Sequence, residues 1–199
     1  MGQNVSFESF PRNRVWMMVE RGGRDGMTGV LRTSERERIC SFPEEPLHVE
    51  RSVLFVRTVD VGKLKFSSFD DLVGHEVAVI EPIPDSSEHP LLSLELWKFL
   101  GEHHNMVEAS GTTEMLRMLV AGRDHYVVAS LNLTKRLIAT AGLSRRIEPL
   151  LSRDVIEEGI YVCFTKARVS PSLVEAFSRA LTQFKQTGTY KAIMRNYFP

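Results

Sequence analysis

Strand-like and helix-like segments take turns along almost the whole chain, and that alternation limits the fold more than any single motif does. "DGMTGVL" (25–31), "HVERSVLFVRTV" (48–59), "EVAVI" (76–80), "HYVVAS" (125–130) and "IEEGIYVCFTK" (156–166) are short runs rich in β-branched and aromatic residues. "NVSFESF" (4–10) alternates apolar and polar residues and reads as a further strand. Between them lie helical patterns, "RNRVWMMVERGG" (12–23), "PLLSLELWKFLGEHHN" (90–105) and "TTEMLRMLVAGR" (112–123). Two more close the chain from Ser170. Such an order predicts an α/β fold with a parallel or mixed sheet and helices on both faces. With 199 residues, 43% of them hydrophobic, the chain is long enough for one sizeable core or two smaller lobes.

An internal echo favours two lobes. "MVERGGRDGMTGV" and "MLVAGRDHYVVA" share one plan: an apolar helix end, Gly-Arg-Asp, then an apolar strand. Glycine suits the helix C-terminus, and Asp25 and Asp124 are expected to accept from backbone donors in the turns.

Composition removes several functions. Lys plus Arg and Asp plus Glu number 25 each, so there is no net positive charge to attract nucleic acid. No apolar run approaches the ~18 residues of a membrane span. "MGQNVSFESF" lacks a basic start followed by an apolar stretch, so no secretory signal is read from it. Cys40 and Cys163 are too few for a disulfide framework or a zinc site. Each lies in apolar surroundings and reads as a buried free thiol, while a single bridge between them stays open. Neither a phosphate loop nor a G-x-S-x-G elbow is present, and the six histidines show no metal-ligand spacing, so catalytic, metal and cofactor sites are all read as none.

One stretch does carry chemistry. "GVLRTSERERICSFPEEPL" (29–47) runs from an apolar strand into an arginine-rich turn and then a proline turn. Ser34 and Glu37 have the spacing of a capping box, which predicts a helical turn after Thr33. At its N-terminus Arg36 could grip a carboxylate with its planar fork. The competing reading pairs Arg36 with Glu35, Glu37 or a neighbouring loop.

The succession "GGRDGMTGVLRTSERERICSFPEEPLHVERSVLFV" resembles the first-lobe signature of bacterial extracellular solute-binding proteins, family 3, the receptors of ABC importers for polar amino acids and similar solutes. "FDDLVGHEVAVI", "EMLRMLVAGRDHYVVAS" and "SPSLVEAFSRALTQFKQTGTYKAIMRNYF" are similar to later segments of that family, in family order. The resemblance implies a type 2 periplasmic-binding-protein-like fold. Lobe 1 would comprise residues 1–46 plus 164–199 and lobe 2 residues 51–160, with two hinge strands near 46–51 and 160–164 and a solute held in the cleft between lobes. It implies ligand roles for Arg36 on a carboxylate, for Gly29 and Leu31 through the backbone, and for Ser86, Ser87 and Ser130 in lobe 2. The partners it implies are a small-molecule solute and ABC-transporter membrane subunits, and the location is the periplasm.

Three departures bear on the solute. Ser130 stands where amino-acid receptors usually place an Asp for the α-amino group. Glu81 and Asp85 lie in the loop that usually greets an anion, and Leu31 replaces a frequent threonine. Together they point away from an ordinary α-amino acid towards another carboxylate-bearing or polar solute. The family's first strand and helix have no counterpart, so lobe 1 is expected to be incomplete, with a homodimer or strand exchange filling it. Two other functions share the fold, a small lyase or dehydratase using Glu35, Glu81, Asp85 or His125 as acid or base, and a ligand-sensing module.

Overall fold

In the computed structural model the described residues are 2, 4–81 and 91–197. The elements, in chain order, are α1 (Arg12–Glu20), β1 (Gly26–Leu31), α2 (Arg36–Ile39), β2 (Cys40–Ser41), β3 (His48–Arg57), β4 (Val77–Ile80) and α3 (Leu94–Glu102). They continue with β5 (Met106–Ala109), α4 (Thr112–Val120), β6 (Tyr126–Ser130), α5 (Leu131–Thr140), β7 (Ile147–Leu150), β8 (Ile156–Thr165), α6 (Pro171–Lys185) and α7 (Gly188–Tyr197). The chain divides into two compact units, Met1–Val49 with Glu158–Pro199, and Glu50–Glu157. β3 and β8 each run through the division.

The second unit is a three-layer sandwich. Its strands order as β7-β3-β6-β4-β5, with β4 parallel to both β5 and β6, and β3 antiparallel to β6 and β7. Successive side chains of a strand point to opposite faces, and here both faces are covered. Val53, Phe55, Ala78, Val127 and Ala129 pack against Met115, Leu116 and Leu119 of α4 and Ile138 of α5. Leu54, Val56, Val77, Val79, Tyr126 and Val128 pack against Leu96 and Leu100 of α3. Double coverage explains why these strands are continuous apolar runs rather than alternating ones.

In the first unit β8 is central. β1 pairs antiparallel to it on one side, from Gly26↔Phe164 to Leu31↔Ile160, and β2 pairs on the other, through Cys40↔Thr165 and Ser41↔Phe164. The core under this small sheet is Val19, Val30, Cys40 and Cys163, with Trp16, Met27 and Phe42 against it. Cys40 and Cys163 are joined as a disulfide, not left as free thiols. The two strands that flank each other bring them within bridging reach, with Cα atoms 5.5 Å apart. α6 docks through Phe177 on Phe164, and its Ser178 hydroxyl accepts the Glu45 N–H.

Caps follow local chemistry. Ser93 and Ser170 accept the third-residue N–H groups of α3 and α6. The two echo segments end their helices alike. Gly22 and Gly122 adopt φ of +68° and +73°, and the next residue closes a six-residue bond, Gly23 N–H to Met18 O and Arg123 N–H to Met118 O. The aspartates of the echo do not cap. Asp25 is exposed and pairs with Arg168, while Asp124 is buried and its Oδ2 has no partner. Asp71, by contrast, accepts from the Ser67 and Ser68 N–H groups and from Lys65, which holds its carboxyl down to about 2.

Residues 4–10, expected as a strand, form none. A strand needs a neighbour for its backbone groups. None lies alongside this segment among the described residues, and Val5 and Phe7 stay exposed.

The disulfide closes a loop of 123 residues. Replacing both cysteines by serine should therefore lower unfolding stability by about 5 kcal/mol, read as a fall in urea midpoint against the oxidised protein. Asp124 yields a second expectation. Burial and the neighbouring Glu76 raise its pKa, against smaller opposing effects of His125 and Arg123. The folded state thus binds the proton more tightly than the unfolded one, and ionised Asp124 costs stability as pH rises through its folded pKa. Asp124→Asn should be more stable than wild type at neutral pH, and urea midpoints measured at falling pH should converge.

Candidate functional site

β1 ends in a built irregularity. Its register with β8 slips between Thr28 and Val30, so Gly29 is an extra residue with φ of +78°, a bulge that suits glycine. Beyond Leu31 the chain turns at Thr33, whose carbonyl accepts the Glu37 N–H at 2.9 Å and whose hydroxyl accepts the Arg36 N–H at 3.3 Å. This starts α2, but the expected capping box is not made. Glu37 instead receives the Arg32 Nε–H at 2.6 Å, a charged partner that outcompetes a backbone amide.

Arg36 is the buried member of this charged turn, 8% exposed. One guanidinium nitrogen donates to the Leu31 carbonyl at 2.9 Å, and the guanidinium lies 5.7 Å from the centre of the Trp16 ring on α1. Neither Glu35, exposed before α2, nor Glu37 takes the described guanidinium bond. Gly29, Leu31 and Arg36 are therefore assembled at one end of β1. Trp16 was missed by reading the sequence, because an aromatic in an apolar helix looks like ordinary core.

In the second unit, Ser130 ends β6 and caps α5. It is 6% exposed, and its hydroxyl accepts the Leu133 N–H at 3.4 Å and donates to Glu50 Oε1 at 2.8 Å. Glu50, half-buried on β3, is a second residue the sequence did not single out, since nothing local links positions 80 residues apart. Beside it, Arg51 is committed to a two-pronged pair with Asp154, at 2.6 and 2.7 Å. Ser86, Ser87 and Asp85 lie outside the described residues. Glu81 is exposed just after β4, its N–H bonded to the Ala109 carbonyl.

His125 lies elsewhere. It precedes β6, so it sits at the opposite end of that strand from Ser130, and its Nδ1 accepts the Glu76 N–H. Glu81 follows β4 and His125 precedes β6, so these two candidates lie at opposite ends of two parallel strands. A hollow between α4 and α5, lined by Leu116, Arg117, Leu137 and Thr140 among others, contains none of the expected site residues. Among the described residues no group of three or more His, Cys, Asp or Glu is arranged to hold a metal ion. No helix among them is long and apolar enough to cross a membrane.

A doubly covered mixed sheet, a second α/β unit built from both chain ends and two strands shared between them define a type 2 periplasmic-binding-protein-like fold. The chain belongs to the bacterial extracellular solute-binding proteins, family 3, whose profile matches residues 1–199. Solved structures agree at the level of fold. An amino acid ABC transporter substrate-binding protein from Streptococcus pneumoniae, bound to L-arginine, is 18% identical with a TM-score of 0.70, over 96% of this chain and 75% of that one. An ancestral amino-acid-binding protein described as a precursor of cyclohexadienyl dehydratase is 21% identical with a TM-score of 0.69, over 100% and 79%. A histidine kinase sensor domain is 20% identical with a TM-score of 0.65, over 94% and 75%. No curated protein matches the sequence.

The bulge makes a local prediction. A Cβ at Gly29 meets nothing within 4 Å, so a substitution there is opposed by φ alone. Gly29→Ala should cost about 1 kcal/mol, and Gly29→Asn less, because Asn tolerates the left-handed region. Thermal melts of the two variants against wild type check the order.

Proposed function

We propose that this chain is a small-solute receptor of an ABC importer, binding a carboxylate-bearing polar solute. The observation that carries the reading is Arg36, a buried arginine at the end of β1 in a chain whose whole length matches a solute-receptor family. An arginine fork holds a carboxylate through two parallel charge-assisted bonds. The Leu31 carbonyl and the Trp16 ring fix the guanidinium in place, so little side-chain freedom is lost when a ligand arrives. Gly29 and Leu31 contribute backbone groups beside it. Ser130 serves the solute from the other lobe, and Ser86 and Ser87 do so by family resemblance.

In this reading the lobes comprise residues 1–46 with 164–199, and 51–160. β3 and β8, which run through the division, are the connecting strands. The partners are the membrane subunits of the transporter, and the compartment is the periplasm. Members of the family are extracellular, and the Cys40–Cys163 bridge supports an oxidising compartment. A ligand-sensing module is the second reading, favoured by the histidine kinase sensor domain among the structural neighbours. A lyase is less well supported, since His125 sits at the far end of β6 from Ser130.

A thermal-shift panel of amino acids, small carboxylates, polyamines and sugars tests the proposal, because a ligand of the folded state raises the melting temperature by mass action. At least one carboxylate should raise it. Arg36→Ala should weaken that ligand about 100-fold, the worth of two charge-assisted bonds at roughly 3 kcal/mol. Arg36→Lys keeps the charge and some of the packing on Trp16, and should recover only part. Silence across the panel from a cooperatively melting protein, or unchanged affinity in both variants, overturns the reading.

A further inference from the structure

Arg36 lies in a turn whose described bonds mostly begin and end within it. The Arg36 N–H goes to the Thr33 hydroxyl, the Glu37 N–H to the Thr33 carbonyl and the Arg38 N–H to the Glu35 carbonyl. The Arg36 side chain bonds the Leu31 carbonyl, and Arg32 bonds Glu37. Such bonds give the turn its shape but do not set where it rests on the unit. α2 itself is a four-residue turn of helix, too short to stand alone. The turn is held at its two ends instead, and both ends lie on β8. At the entrance, β1 hands over from Leu31, which pairs with Ile160. At the exit, Cys40 follows Ile39 directly and is bonded to Cys163, which also pairs with Met27 of β1. β2 adds the two pairs Cys40↔Thr165 and Ser41↔Phe164, and Lys166 reaches the Glu37 and Ile39 carbonyls from just past β8.

We infer that the Cys40–Cys163 bridge positions Arg36, so that carboxylate capture by the first unit is conditional on the oxidised state. The inference rests on the solute-receptor reading above and adds the condition under which that site is competent. A crosslink at the exit removes the conformations in which the turn swings away from β8 and from the Trp16 ring. Opening it takes a dithiol reductant. A reductant thiolate attacks one cysteine sulfur and frees the other, and the reductant's second sulfur then closes the mixed disulfide. Two electrons pass from the reductant, which ends as a disulfide, and Cys40 and Cys163 each end as a protonated thiol. The two cysteines are 1% and 0% exposed, so this attack waits on local opening of β2 from β8. The bridge therefore follows the compartment over long times and does not flip with brief changes of redox state.

Hydrogen exchange and arginine labelling test it without a solute, on the oxidised protein, the reduced protein and Cys40→Ala/Cys163→Ala. A bridge that served stability alone would speed the slowest amides, which exchange by global unfolding, and leave local exchange in the turn unchanged. Amides 36–40 should instead exchange about tenfold or more faster without the bridge. Phenylglyoxal, which condenses with accessible guanidinium groups, should label Arg36 faster by a similar factor, measured against exposed Arg38 in the same turn. Calorimetric titration of L-glutamate and glutarate into both forms adds the functional readout. Whichever binds the oxidised protein should bind the dithiol form about tenfold more weakly. Unchanged turn exchange and Arg36 labelling, or equal affinities, overturn the inference. If the bridge-free forms do not fold, Lys166→Met decides with the bridge intact. Its Arg36 labelling should stay within about threefold of wild type, and release of Arg36 by that change alone overturns the inference. If neither acid binds the oxidised protein, exchange and labelling still decide the role of the bridge, and the wider panel decides the receptor reading separately.

Discussion

The first unit depends on one strand that comes from the far end of the chain. β8 carries β1 on one side and β2 on the other, and its Cys163 is bonded to Cys40 at the start of β2. With only Val19, Val30 and the two cysteines fully buried in its central cluster, this unit has little apolar area to spare. Its order comes from ladder bonds and a covalent tie as much as from burial. The position of Arg36 inherits that order. β8 fixes β1, the bulge at Gly29 shifts its last two residues, and α2 starts five residues beyond the end of β1.

The second unit is held differently. Its sheet is apolar on both faces, with α3 on one side and α4 and α5 on the other, so it needs no crosslink. Where the strands leave that core they turn polar, and the serine that ends β6 does two jobs with one hydroxyl, capping α5 and holding Glu50. The charge-rich turn after β1 resolves in a comparable way. Arg32 takes the Glu37 side chain and Lys166 its carbonyl, and Arg36 alone among these cations is turned inward.

Much of this was legible because it is local. The apolar runs of β3, β4 and β6 and the glycine stops after α1 and α4 follow from period and φ, all readable within ten residues. What failed was decided at a distance. Residues 4–10 alternate as a strand should, yet no strand lies beside them among the described residues. β5 and β7 are four residues each and too short to show a period, and β7 contains Pro149. The capping box at Ser34 lost Glu37 to Arg32. Glu50 and Ser130 meet only because β3 and β6 lie side by side, and the disulfide only because β2 and β1 flank β8. Arg36 was singled out from its place after a strand, whereas Trp16, which meets its guanidinium, sits in a helix that reads as plain core.

The split composition of the first unit also governs how the protein comes into being. Residues 50–157 are contiguous and can collapse as soon as they leave the ribosome or a translocation channel, but the N-terminal 49 residues cannot. Their central strand is still unmade, so Trp16, Val19, Val30 and Cys40 wait, exposed, through the synthesis of more than a hundred residues. During that interval Cys40 has no native mate, and any early oxidation joins it to a foreign thiol. Assembly is therefore ordered from the middle outwards, and a holding chaperone or a late-acting thiol oxidant would act on this chain through its first 49 residues rather than through the larger unit that follows.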